Sequence, residues 1–168
     1  AVKVLVEADG GSRGNPGPAG FGAVVWTADH GVVLAERKEA IGLATNNVAE
    51  YRGLIAGLQA AAAEGADEVA VSMDSKLVVE QMSGRWRVKH PDLVPLQREA
   101  ATLAAQFTDV TYSWIPRARN AHADRLANEA MDAAAEVVSP TESAAEKPAE
   151  KPAEKPAAPG WTGAVGAP

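Results

Sequence analysis

A chain of 168 residues with 46% hydrophobic content is long enough for one domain with a packed core. The absence of Cys excludes a disulfide framework and any thiolate metal site, so a bound cation would have to be held by oxygen or imidazole. No apolar run reaches membrane-spanning length and the first residues alternate like a strand rather than a signal peptide, which leads us to expect a soluble, cytoplasmic, monomeric protein with no membrane partner.

Taken in chain order, Val2 to Asp9 reads as a strand, followed by a Gly/Pro-rich turn through Gly20 and two more strands at Phe21 to Thr27 and Val32 to Ala40. Leu54, Leu58 and Ala61 recur at helical spacing, predicting a helix over Asn47 to Glu64 that Gly65 ends. A strand over Glu68 to Met73, helices over Ser75 to Ser83 and Pro91 to Gln106, a strand over Val110 to Ile115 and a helix over Asn120 to Ala135 complete the set. The order βββαβααβα predicts an α/β fold around a mixed five-stranded sheet.

After Val138 the composition changes to Glu-Lys-Pro-Ala repeats, which predict a semi-extended, disordered linker over residues 139–168 beside a domain at 1–138. The lone Trp161 fits either a linker leading to a missing C-terminal domain or a plain terminus. The net charge of −6 is not a property of this tail alone, because the first 138 residues hold 13 basic and 18 acidic residues, a net of −5. Such a balance disfavours a polyanionic partner unless the cations are grouped. They are grouped, as Arg85, Arg87 and Lys89 around Trp86, and as Arg117, Arg119 and Arg125 near the last helix.

Four carboxylates fall at element ends: Asp9 and Asp74 where strands close, Glu50 and Asp124 in first turns of helices. Ligands of open α/β sheets gather outside the carboxyl ends of strands, so these positions suit one shared crevice. A cluster of like charges is tolerable mainly with divalent cations among them. Each residue also fits a local role: Asp9 in a turn before Gly10-Gly11, Asp74 as a helix cap, Glu50 in a capping box with Asn47, and Asp124 favoured by the helix dipole. Spacing alone does not bring the four together.

The segment Asp9-Gly10-Gly11-Ser12-Arg13-Gly14-Asn15-Pro16-Gly17-Pro18-Ala19-Gly20 resembles the first motif of type 1 ribonucleases H. Thr45-Asn46-Asn47-Val48-Ala49-Glu50-Tyr51, Asp74-Ser75-Lys76-Leu77-Val78 and Ala121-His122-Ala123-Asp124-Arg125-Leu126-Ala127-Asn128 resemble the others, in the same order. The resemblance implies a ribonuclease H-like fold and two-metal-ion endonucleolytic hydrolysis of the RNA strand of an RNA/DNA hybrid, leaving 5′-phosphate and 3′-hydroxyl ends. It makes Asp9, Glu50, Asp74 and Asp124 the ligands of two Mg²⁺ or Mn²⁺ ions. Gly10, Gly11, Asn15, Asn46 and Asn47 match positions near the RNA strand, where amides suit a 2′-hydroxyl that both donates and accepts. Thr45 matches a residue that grips a DNA phosphate. Asn46, Asn47 and Thr45 are equally compatible with the start and cap of a helix.

Two segments depart from the family pattern. In some relatives a longer loop before the last helix carries a His that helps product leave; here residues 114–120 are short and lack His. Similarity to short-loop relatives makes Arg119 the first candidate for that role and Arg117 the second, while His122 stands within the helix start. The basic handle of some relatives is reduced to Gly84-Arg85-Trp86-Arg87-Val88-Lys89-His90, where Trp86, Arg85 and Arg87 are candidate contacts to the DNA backbone and packing of Trp86 on the sheet edge is the alternative. The Pro/Ala-rich linker resembles the one joining actinobacterial enzymes of this type to an alpha-ribazole phosphatase-like domain. Rival readings are another nuclease of the same superfold, a silent hybrid-binding module, and a tether for a second domain. The asparagines argue against the first and the full carboxylate set against the second.

Overall fold

In the computed structural model, which describes residues 1–138, the strands are β1 Lys3–Ser12, β2 Gly17–Thr27, β3 Val33–Ala44, β4 Glu68–Met73 and β5 Asp109–Trp114. The helices are α1 Asn46–Ala63, α2 Lys76–Met82, α3 Val94–Ala104 and α4 Ala121–Val138, with a 3₁₀ turn at Arg117–Arg119. The expectations for the tail, Trp161 included, fall outside the described residues. The element order is as predicted, and the five strands form one mixed sheet in the order β3-β2-β1-β4-β5. β1 runs antiparallel to β2 and parallel to β4, and β4 runs parallel to β5.

Strand alternation divides the core. Val4, Val6 and Ala8 of β1 point to the face covered by α1, where Leu54, Leu58, Val69, Val71 and Val78 are fully or nearly fully buried with them. Val24 of β2 points to the opposite face, against Ala123 and Leu126 of α4. Asp9 follows Ala8 and so projects on the α4 side. Among the described residues no helix is long and apolar enough to cross a membrane.

The largest departure from expectation lies in the first 20 residues. The Gly/Pro-rich segment is mostly strand, because the β1–β2 ladder runs on through Asp9↔Gly22, Gly11↔Gly20 and Ser12↔Ala19, leaving only residues 13–16 as the turn. Glycine is needed at position 10 for packing: a Cβ there would lie 2.3 Å from the backbone carbonyl of Ala49 in α1. β3 extends to Ala44 because Gly17 to Ala19 pair with it, with a register shift at Ala19/Gly20 beside Gly42 at φ +75°.

Helix starts also shift. The cap of α1 is Thr45, whose hydroxyl accepts from the Val48 amide, and not the Asn47/Glu50 box; Glu50 is the fifth residue, beyond the first turn. Asp74 is not the cap of α2 either, since the Ser75 hydroxyl accepts from the Val78 amide. α3 begins three residues later than Pro91, after a turn in which the His90 carbonyl accepts from the Leu93 and Val94 amides. Pro95 then sits in the first turn, where its missing N–H is harmless.

Candidate active site

The parallel β1–β4 ladder ends at Ala8↔Met73, so Asp9 and Asp74 are the next residue on each of two adjacent strands. β1 itself continues, which corrects the expectation that Asp9 closes it. Asp9 is 7% exposed, and its carboxyl is pushed up to about 8, first by burial, then by the Asp74 charge and by Asp124, with which it also shares a hydrogen bond. The Gly10 backbone N–H donates to it and opposes the shift.

Asp124 reaches the same point from the first turn of α4, the helix on the Asp9 side of the sheet. It is held by Asn128, whose amide nitrogen donates to its carboxylate (3.2 Å) and to its carbonyl (2.9 Å). Arg117 Nη2 lies 3.0 Å from Asp124 Oδ1. Glu50 arrives from α1 with its carboxyl pushed up to about 7, chiefly by burial and further by Asp74, while a hydrogen bond from Ser75 works the other way. That hydroxyl donates to Glu50 Oε1 over 3.0 Å, so one side chain both caps α2 and orients Glu50.

Asp9 thus lies within electrostatic reach of Asp74 and Asp124, and Glu50 within reach of Asp74, at the end of the parallel ladder. Among the described residues no three His, Asp or Glu are gathered tightly enough to enclose an ion, and Arg117 is the cation bonded directly to one of the four. The donors are all hard oxygens, and two of them are driven toward protonation near neutral pH, chiefly by burial and further by neighbouring carboxylates. That donor set and that crowding of acidic groups fit divalent cations of the Mg²⁺ type.

The predicted RNA-side residues form a connected rim. Asn15 Oδ1 accepts from the Asn46 amide (3.1 Å), and Asn46 Oδ1 accepts from the Ser12 amide (2.8 Å), tying the β1–β2 turn to the start of α1. Asn46 and Asn47 are the first two residues of α1. A Cβ on Gly11 would sit 3.3 Å from Met131 and 3.5 Å from Asn46 Oδ1, so Gly11 lines the same rim.

The basic candidates divide. Trp86 is 47% exposed. Arg85 is committed within the fold, donating through Nε and Nη2 to both oxygens of Glu80 at 2.7 and 2.8 Å. Arg87 makes no ion pair among the described residues. Of the three product-release candidates, Arg117 is bonded to Asp124, Arg119 is exposed in the 3₁₀ turn, and His122 turns away from the carboxylates. His122 bonds Glu36 on β3 and meets the Trp26 ring edge-on at 5.4 Å between centroids.

Three further residues at the site were not singled out from the sequence as functional: Ser75, Asn120 and Asn128. Asn120 precedes and Asn128 closes the fourth motif, and only their contacts distinguish them from an ordinary helix-start residue and a mid-helix polar residue.

The profile of a family described as reverse transcriptase-like matches residues 7–130. A ribonuclease H of Hydrogenovibrio crunogenus is 35% identical over 142 residues, covering 74% of this chain and 92% of that protein. The chain belongs to the ribonuclease H family. A bifunctional protein of Mycobacterium tuberculosis is 67% identical over 167 residues, covering 99% of this chain and 45% of that protein, so the chain spans about half the length of that ribonuclease H relative. The solved N-terminal RNase H domain of the M. tuberculosis protein superposes with a TM-score of 0.81 at 73% identity, covering 82% of this chain and 99% of that domain. LC11-RNase H1, solved in complex with an RNA/DNA hybrid, gives 0.73 at 42% identity, covering 78% of this chain and 98% of that one.

Proposed function

We propose that this chain hydrolyses the RNA strand of RNA/DNA hybrids, with two Mg²⁺ or Mn²⁺ ions held by Asp9, Glu50, Asp74 and Asp124, and leaves 5′-phosphate and 3′-hydroxyl ends. The observation that carries this reading is the convergence of four carboxylates at the end of the β1–β4 ladder, two of them pushed up to about 8 and 7. The hybrid bound by LC11-RNase H1 supports the substrate class. Cations held by these four residues would supply Lewis-acid chemistry, lowering the pKa of a bound water and offsetting charge on the leaving oxygen. Asp9 presents its oxygens from within β1 and Asp74 from just past the end of β4, Asp124 from a helix start held by Asn128, and Glu50 in an orientation set by Ser75.

The rim made by Asn15, Asn46 and Asn47 adjoins this cluster through Gly10 and Gly11. Backbone and amide groups there can both donate to and accept from a 2′-hydroxyl, the group that separates RNA from DNA. Thr45, spent on capping α1 through one lone pair, keeps its hydroxyl proton for a DNA phosphate. Exposed Trp86 and unpaired Arg87 are positioned for the DNA backbone; Arg85 would have to leave Glu80 to join them. The name of the M. tuberculosis relative, a bifunctional protein, supports a second covalently linked domain in the whole protein.

The test offers end-labelled RNA/DNA hybrid, double-stranded RNA and double-stranded DNA with Mg²⁺, Mn²⁺ or EDTA. We expect cleavage of the hybrid alone, abolished by EDTA, with products that a 3′-hydroxyl-dependent polymerase extends. Cleavage of double-stranded DNA at a comparable rate, or undiminished cleavage in EDTA, would reject the reading.

A further inference from the structure

We infer that Asn120 is a positioning residue for the metal site: one side chain that sets the spacing of Asp9, Asp74 and Asp124 where the sheet itself no longer does so. The last ladder pair between β1 and β4 is Ala8↔Met73. Beyond it, regular hydrogen bonding no longer fixes Asp9 relative to Asp74. Asn120 bridges that gap. Its amide nitrogen donates to the Ala8 carbonyl and to Asp74 Oδ1, both at 2.9 Å. The Ala8 carbonyl belongs to the peptide that leads into Asp9. The backbone carbonyl of Asn120 accepts from the Asp124 amide at 2.9 Å, so the same residue starts the helical turn that carries the third carboxylate.

The chemistry of the contacts specifies asparagine. Ala8 O and the Asp74 carboxylate are both acceptors, so the residue between them needs two N–H donors on one short side chain. Aspartate has the shape without the donors and would add a charge beside Asp74. Alanine removes the bridge, and glutamine sets the amide one carbon too far. Asn120 is fully buried, and among the described residues its Oδ1 has no hydrogen-bond partner. Turning the amide over would not relieve this, because it would set Oδ1 against two acceptors. The fold thus leaves a buried acceptor unsatisfied, a cost that makes little sense for a packing residue and follows directly if both donors are required at the site.

The inference rests on the proposed metal-dependent cleavage, and the experiment separates the two. Wild type, Asn120→Ala and Asn120→Asp are compared by thermal melting, by calorimetric titration with Mn²⁺ in the absence of nucleic acid, and by kcat and KM on labelled hybrid. Losses of about 10- to 100-fold are usual when a group that orients metal ligands is removed. We expect losses of that order in kcat and in Mn²⁺ affinity for both variants, with KM for hybrid within about twofold, at temperatures where each is fully folded. Mn²⁺ affinity and kcat within about twofold of wild type in either folded variant, with only the melting temperature lowered, would make Asn120 a packing residue and overturn the inference. Should the alanine variant not fold, the isosteric aspartate variant gives the same reading. A wild type that binds Mn²⁺ but cleaves no hybrid would defeat the proposed function, and the Mn²⁺ titrations would still decide the role of Asn120.

Discussion

Replacing Asp9 by Asn should abolish hydrolysis and, without metal, stabilise the fold. In the unfolded chain an aspartate carboxyl titrates near pH 4, whereas burial, Asp74 and Asp124 push Asp9 up to about 8 in the folded protein. The folded state therefore favours the protonated form. Its contribution is fully present below about pH 4, erodes as the unfolded chain ionises, and is lost by about pH 8. At pH 7 the full linkage penalty would be about 4 kcal/mol, taking about 1.4 kcal/mol per pH unit over roughly three units. An asparagine keeps the shape but is still a desolvated polar group, so about half of that, ~2 kcal/mol, should be recovered. At about 3 °C per kcal/mol for a domain of this size, Tm should rise by about 6 °C at pH 7 in EDTA. At pH 4, where Asp9 is protonated, only the asparagine's pH-independent desolvation cost should remain, and the variant should melt about 6 °C below wild type. Mg²⁺ should raise the wild-type Tm and leave the variant nearly unmoved. The assay is thermal melting from pH 4 to 8, with and without Mg²⁺, beside hybrid cleavage at pH 7. A Tm difference that does not vary with pH, or a wild type more stable than the variant at pH 7 in EDTA, would refute the argument; so would wild-type cleavage by folded Asp9→Asn.

Gly10→Ala should cost about 2 kcal/mol or more and at least tenfold in cleavage rate, since its Cβ would meet the Ala49 carbonyl at 2.3 Å and push α1, with Glu50, away; melting and single-turnover rates check this. Arg117→Ala should shift Tm by no more than about 2 °C, because the Arg117 side chain is largely exposed, yet lower the half-saturating Mg²⁺ concentration about two- to threefold by freeing the Asp124 carboxylate. A fall in kcat at unchanged Mg²⁺ requirement would place Arg117 in product release instead. Arg87→Ala should raise KM for hybrid and reduce the salt slope by about one, whereas Arg85→Ala should change that slope little because its guanidinium is held by Glu80; KM measured across a salt series distinguishes them.

The four carboxylates were legible through the resemblance carried by four motifs in order. Local pattern placed Asp74 after a short apolar strand and Asp124 at a helix start, but Asp9 lies inside β1 and Glu50 past the first turn of α1, where no change of period marks them. The strand ends near Asp9 were misplaced because Gly and Pro are read as turn formers, whereas here glycine allows α1 to lie against β1. Thr45, read from the sequence as a cap beside the alternative Asn47/Glu50 box, is the residue that caps, a choice decided by where the chain leaves β3. Asn120 escaped notice for a related reason: its partner Ala8 is 112 residues away, and no periodicity reports a contact of that range. The Arg85–Glu80 pair spans only five residues, yet it forms across a helix end with Gly84 at φ +81°, a bend that composition does not specify.

β3 lies at the open edge of the sheet, a twelve-residue strand with a row of unpaired backbone groups. Its exposed centre reads Glu36-Arg37-Lys38-Glu39, an acidic-basic-basic-acidic sequence that is the same in either direction. A second copy adding antiparallel and centred on this stretch would set Glu36 against Glu39 and Arg37 against Lys38, like charge facing like charge at each step. In that centred register the mirrored charges disfavour pairing of this edge with another molecule of its own kind.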